Sequence, residues 1–116
     1  MRDFKRYTAW QDAHFLTLEV YKITQEFPKE EMYGLTSQLR RAATSIPTNF
    51  AEGCGATSEK EFGRFLNIAI ASCSEVEYLL LLVTDLKYIT AEVHRDLENK
   101  TIQVRKQIYQ LRQKLN

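Results

Sequence analysis

The sequence predicts an all-α fold, an antiparallel, left-handed, up-and-down four-helix bundle, and three observations carry that prediction. Apolar residues recur at alternating spacings of three and four along four long stretches, the period that lays one face of a helix against a core. Leu, Glu, Lys, Gln, Arg and Ala dominate, whereas four Gly and two Pro in 116 residues leave little material for the turns of a many-stranded β domain. The connections between the stretches are short, which favours antiparallel neighbours. With 44% hydrophobic and 11% aromatic residues, residues 1–116 are read as one domain with its own core.

The first helix should run from about Thr8 to Glu26, with Ala13, Leu16, Val20, Ile23 and Phe27 forming its seam. Pro28 ends it, because the residue before a proline is pushed out of the α region. The second should span Leu35 to Glu52 and turn Leu35, Leu39, Ala42, Ile46 and Phe50 inward, with Gly53-Cys54-Gly55 as a flexible stop. Pro47 lies within it, removing one amide donor and crowding the carbonyl of Ala43, so a kink is expected, with Ser45 or Asn49 organising the turn. Ser58 and Glu61 have capping-box spacing ahead of the third helix, which should reach about Lys87. Its seam is Phe62, Leu66, Ala69, Cys73, Val76, Leu80 and Val83. A second row, Phe65, Ile68, Ser72, Glu75, Leu79, Leu82 and Leu86, is also largely apolar, and Leu79-Leu80-Leu81-Leu82-Val83 is apolar all round. One helix of a monomeric bundle needs a single stripe, so Phe65, Ile68, Leu79, Leu82 and Leu86 are candidate oligomer-interface residues. Thr90 should cap the fourth helix, which carries Val93, Leu97, Val104, Ile108, Leu111 and Leu115 on one side.

Several chemistries are excluded. A di-iron carboxylate bundle requires Glu three residues before each ligating His, but Gln11 precedes His14 and Ala91 precedes His94. Cys54 and Cys73 stand in no metal-ligand or disulfide spacing and read as buried or half-buried free thiols. No phosphate loop of the required form precedes a helix, so no cofactor, metal, small-molecule substrate or catalytic residue is assigned. The charged start Met1-Arg2-Asp3-Phe4-Lys5-Arg6 does not resemble a secretory signal, and the apolar run Tyr78–Val83 is too short to cross a bilayer. The expectation is a cytoplasmic protein, in which the sequon Asn99-Lys100-Thr101 has no role.

Net charge is +1, unevenly distributed: residues 1–99 carry 11 Lys and Arg against 15 Asp and Glu, and the last seventeen carry five cations with no acid. Arg40, Arg41, Lys60, Arg64, Arg105, Lys106 and Arg112 are therefore the candidate nucleic-acid-binding residues, since cations that displace counterions from phosphates supply sequence-independent affinity. Against this, Arg105 and Arg112 flank the core seam while Lys106 points away, so helix four has no single basic stripe. Arg40 and Arg41 equally suit pairing with Glu52 or Glu75. Ser45, Asn49, Glu52 and Glu61 read as partners for a broken helix and its caps.

The central block resembles a bacterial family of small four-helix-bundle proteins, that of the 23S rRNA intervening sequences. The resemblance rests on Trp10-Gln11-x-Ala13, Phe27-Pro28, Tyr33-Gly34-Leu35-Thr36-x-Gln38-Leu39-Arg40-Arg41-Ala42, Ser45-Ile46-Pro47-x-Asn49, Ala51-Glu52-Gly53, and the spacing to Phe62, Phe65-Leu66 and Ala69. It covers about residues 8–90 and marks Pro28, Gly34, Leu35, Gln38, Arg41, Ser45, Ile46, Pro47, Asn49, Glu52 and Gly53 as motif residues. It implies a closed bundle gathered into a homo-oligomer, a ring of five; the non-enzymatic role is read from the chemistries excluded above. A fold relative, the accessory protein of diversity-generating retroelements, implies structured RNA or a nucleic-acid-processing protein as partner; the alternative is a purely structural or protein-binding module. Ala56 stands where the family commonly has Arg, which argues against phosphate binding by the loop after helix two.

Overall fold

The computed structural model describes residues 2–115, so Met1 of the charged start and Asn116 of the acid-free tail lie outside the described residues. Four helices account for most of it: α1 Thr8–Thr24, α2 Leu35–Cys54, α3 Glu59–Asp85 and α4 Ala91–Gln113. Short 3-10 turns, Phe4–Arg6 and Lys29–Glu31, precede α1 and α2, and no strand occurs among the described residues. Each helix packs against two others in the closed order α1, α2, α3, α4 and back to α1. Cross-helix bonds show the antiparallel sense: Glu19 meets Lys100 whereas Asp12 meets Gln107, and Glu77 meets Arg105 whereas Asn67 meets Arg112. The result is a rod of 43 × 24 × 20 Å, its length set by the 27 residues of α3 at about 1.5 Å each.

The predicted seams form the core. Leu16, Leu39, Ile46, Phe50, Phe62, Leu66, Leu80, Leu97 and Ile108 are all essentially sealed from solvent, each contributing about 1.5–3 kcal/mol by area removed from water. Thr101 fills the seam position between Leu97 and Val104 that lacks an apolar residue, and its hydroxyl donates to the Leu97 carbonyl at 2.7 Å. By length and composition α3 could cross a membrane, but its seam is the centre of this core. Thr90 caps α4 as expected, accepting from the Val93 amide at 3.1 Å. Ser58 caps α3 in the same way through the Glu61 amide. The reciprocal half of the expected capping box is replaced, because the Glu61 carboxylate pairs with Arg64 at 3.1 Å.

Three expectations about α2 and α3 are corrected. The first concerns the partner at Pro47: α2 stays helical from Leu35 to Cys54 with Pro47 inside it, and the carbonyl that the proline frees is not served by Ser45 or Asn49. Thr17 of α1 donates its hydroxyl to the Ala43 oxygen at 3.2 Å. Gly53, read as part of a flexible stop, is instead a buried helical residue. A Cβ there would lie 2.9 Å from Phe65 Cβ and 3.0 Å from the Phe62 ring, so it is glycine because α2 and α3 approach too closely for a side chain.

The third correction concerns the second row of α3. Phe65 faces Gly53, Ser72 faces Ser45, and Leu79 is 1% exposed, so this row flanks the protein's own α2. Leu79 belongs to the monomer core, Phe65 and Leu82 are half-buried, and of the five interface candidates only Ile68 and Leu86 are exposed. The outward row is its neighbour, Asn67, Ala71, Ser74, Tyr78 and Leu81. At 100° per residue the two rows are adjacent, and periodicity alone does not say which one the second helix covers. α3 ends at Asp85 in a Schellman arrangement: the Tyr88 amide donates to the Val83 carbonyl and the Lys87 amide to Thr84, both at 2.9 Å, with Lys87 at φ 66°.

Candidate interaction site

Gly34, Gln38, Arg41, Ser45, Asn49 and Glu52 recur at spacings of three and four, which places them on one stripe of α2. The upper part of that stripe opens into a groove against α3, lined by Tyr33, Gly34, Gln38, Arg41, Ser45 and Glu75. Tyr33 at its mouth is 93% exposed, an unusual position for an aromatic side chain. The apolar motif residues Leu35, Ile46 and Pro47 point the other way, into or against the core.

Gly34 is accounted for locally. The Glu31 carboxylate folds back over it, accepting from the Leu35 amide at 3.1 Å and from the Tyr88 hydroxyl at 2.9 Å. A Cβ on Gly34 would sit 2.8 Å from Glu31 Oε1. Glu31 thus serves an orphan amide at the start of α2 and ties two loops together at one end of the bundle. Its bond pushes the Tyr88 phenol above its ordinary value.

The middle of the stripe is a directional chain of polar groups. Asn49 Nδ2 donates to the Ser45 carbonyl and to Ser45 Oγ, both at 2.9 Å; Ser45 Oγ lies 2.8 Å from Ser72 Oγ, and Ser72 donates to the Ile68 carbonyl at 3.0 Å. Since Ser72 gives its single proton to Ile68, the proton between the two hydroxyls belongs to Ser45. Both serine hydroxyls and the Asn49 amide nitrogen are matched within the chain, and no imidazole or carboxylate bonds either serine among the described residues. The arrangement joins two helices and offers no nucleophile.

The seven candidate cations separate into two groups. Arg40 is committed to α1: Nε donates to Thr24 Oγ1 at 2.7 Å, a terminal nitrogen donates to the Tyr21 carbonyl, and the guanidinium lies over the Tyr21 ring. It closes the carbonyl end of α1, where positive charge is favoured by the helix dipole. Arg64 is paired with Glu61, Arg105 with Glu77 at 3.0 Å, and Arg112 with Asn67 while lying over Gly63. Arg41, Lys60 and Lys106 are exposed and form no ion pair among the described residues. They stand on α2, the first turn of α3 and α4, and do not form one patch. Arg41 lines the groove with Glu75 without closing an ion pair to it.

Neither cysteine is reactive. Burial pushes the Cys54 thiol up to about 11 and the Cys73 thiol up to about 12, so both are protonated at neutral pH. Among the described residues no group of His, Cys, Asp and Glu is arranged to hold a metal ion. Residues that periodicity did not single out include Thr17 and Thr24, which interleave with Ala13 and Val20 on the inner face of α1. That spacing was the available signal. Arg2, whose guanidinium covers the Phe62 ring at 4.2 Å and whose amide bonds the Cys54 carbonyl, carried none.

Comparison with known proteins agrees with this architecture. A family model described as 23S rRNA-intervening sequence protein matches residues 5–110. A crystal structure of a protein of unknown function from the S23 ribosomal protein family of Bacteroides thetaiotaomicron superposes with a TM-score of 0.84 at 24% identity, covering 90% of this chain and 95% of that one. No curated protein matches.

Proposed function

The chain belongs to the 23S rRNA-intervening sequence protein family, and from that premise we propose that it is a non-catalytic scaffold that self-associates through the outward faces of α3 and α1. One observation carries the reading. The solvent side of a surface helix is ordinarily charged, yet the outward row of α3 from Asn67 through Ala71, Ser74 and Tyr78 to Leu81 has no charged residue, with Tyr78 60% and Leu81 47% exposed. On α1, Leu18 and Tyr21 are likewise exposed. Apolar surface of this kind marks a contact between proteins, and two such faces on different sides of one rod suit a ring, in which each copy offers one face to its neighbour. Five copies is the number the family resemblance implies.

Light scattering on the eluting protein tests this. The expected mass is that of five 13.6 kDa chains, falling to one chain in Tyr78→Glu/Leu81→Glu with helix content kept. A single-chain mass for the unaltered protein at micromolar concentration overturns the reading.

A second reading, binding of structured RNA, is favoured by Arg41, Lys60 and Lys106, the three candidate cations with neither an ion pair nor a side-chain hydrogen bond among the described residues. A ring would present each of them in every copy, and weak sites displayed together act with raised effective concentration. An electrophoretic shift that weakens steeply between low and moderate salt is the expected result. Loss of the shift in the triple Ala variant would assign it to these residues, and no shift at low salt leaves the protein-binding role alone.

A further inference from the structure

An open groove follows the seam between α1 and α4. Two adjoining hollows lie along it from Asp12 to Glu26 of α1 and meet at Glu19 and Asp96, where the Lys100 ammonium spans the two walls, a length of about 21 Å or four helical turns at 1.5 Å per residue. Its floor is apolar, made of Leu16, Leu97 and Val104 from the core with half-buried Ile23 and Val93. Phe15 stands at one end of it, 58% exposed.

The rims are acidic. Asp12, Glu19, Glu26, Glu92 and Asp96 line the channel against only Lys22 and Lys100. Lys100 shows what the channel does with a cation: its ammonium is held from both walls, 2.9 Å from Glu19 and 3.1 Å from Asp96. Asp12, Glu26 and Glu92 form no ion pair among the described residues.

We propose that this channel docks a cationic amphipathic helix of about four turns, supplied by another protein, with its apolar side on Phe15, Ile23 and Val93 and its Lys or Arg residues at Asp12, Glu26 and Glu92. A helix fits because an apolar floor between charged rims matches one helical side flanked by cations, and because the helices that form the walls use their backbone amides internally, leaving no edge for a strand. Nucleic acid is disfavoured by rims of the same sign as its phosphates. A second copy of this chain is a poor occupant: on the acid-free part of its α4, Lys100, Arg105 and Arg112 are already bonded to Glu19, Glu77 and Asn67, which leaves Lys106 alone on that helical segment to meet three carboxylates without ion pairs.

The test uses the full chain and a fluorescent synthetic peptide of about 16 residues, helical, with Leu on one face and Lys on the other, read by anisotropy. A matched peptide with Glu in place of Lys is the control. The Lys peptide should bind and the Glu peptide should not; Glu26→Lys/Glu92→Lys should weaken binding about tenfold, since two attractions become repulsions. Lys100→Met should strengthen it several-fold by freeing Glu19 and Asp96, while circular dichroism confirms that both variants fold. Equal binding of the two peptides, unchanged affinity in Glu26→Lys/Glu92→Lys, or no binding at all overturns the proposal. So does a change in the assembly mass of that variant, which would assign the channel to contacts between copies.

Discussion

Replacing Thr17 with Val isolates the contact that lets α2 carry a proline. Valine has nearly the shape of threonine, so no cavity opens; what disappears is the hydroxyl that donates to the Ala43 carbonyl at 3.2 Å. The hydroxyl's single proton is shared with the Ala13 carbonyl at 2.8 Å within α1, but that acceptor keeps the helical amide of residue 17 when the hydroxyl is removed. The Ala43 oxygen has no such substitute, since Pro47 brings no N–H. A buried acceptor left without a donor costs about 1–3 kcal/mol, and for a chain of 116 residues each kcal/mol is about 4 °C in melting temperature. Thr17→Val should therefore melt about 4–12 °C lower, measured calorimetrically at one protein concentration so that any assembly equilibrium is held fixed. The decisive comparison is the same substitution in a Pro47→Ala background, where residue 47 regains an amide for Ala43. There the cost of Thr17→Val should shrink by about 1 kcal/mol or more. Equal costs in the two backgrounds would refute the assignment of Thr17 as the proline's partner.

Other expectations follow from equally local features. Gly53→Ala forces a Cβ to within 2.9 Å of Phe65 and should cost about 1–3 kcal/mol by overpacking, read as a lower denaturant midpoint at unchanged slope; an unchanged midpoint would mean α2 and α3 separate freely. Lys87→Gly relieves a side chain held at φ 66° and should stabilise by about 0.5–1 kcal/mol, with an equal or lower melting temperature as the contrary result. The thiols make a pH prediction. Cys54 and Cys73 are raised in the folded chain to about 11 and about 12 from an ordinary 9.0, so the folded state keeps protons that the unfolded chain releases. Their contribution is complete below pH 9 and is lost as pH rises through those two values. Thermal unfolding should therefore show an alkaline decline that Cys54→Ala/Cys73→Ala flattens, and a decline of identical steepness in the variant would show that other groups cause it.

Much of the architecture was legible in the sequence because it rests on periodicity and end signals. The seams of all four helices and the caps at Ser58 and Thr90 lie where spacing and side-chain chemistry put them. What spacing cannot supply is the identity of a neighbour. The second row of α3 reads as surplus apolar area, yet Leu79 is covered by its own α2, while the adjacent row through Tyr78 and Leu81 faces outward. Arg40 reads as a phosphate contact or a partner for Glu52 or Glu75, yet the carbonyl end of α1 consumes it. The same holds for the freed Ala43 carbonyl, whose donor is 26 residues away. Of the candidate site, the motif residues were legible as a set, but their division into core-facing and groove-facing members required knowing where α3 lies.

The polar ladder of Ser45, Asn49 and Ser72 has a consequence for how the helices index against one another. The seam of α3 from Phe62 to Val83 repeats so regularly that shifting the helix lengthwise by seven residues, about 10 Å, would present a nearly equivalent apolar edge to α2. Such a slide would bring Phe65 or Leu79 opposite Ser45 and strand its hydroxyl in a greasy surrounding. One pair of serines in an otherwise repetitive interface therefore forbids every register but one, as a keyed shaft admits a wheel in a single position.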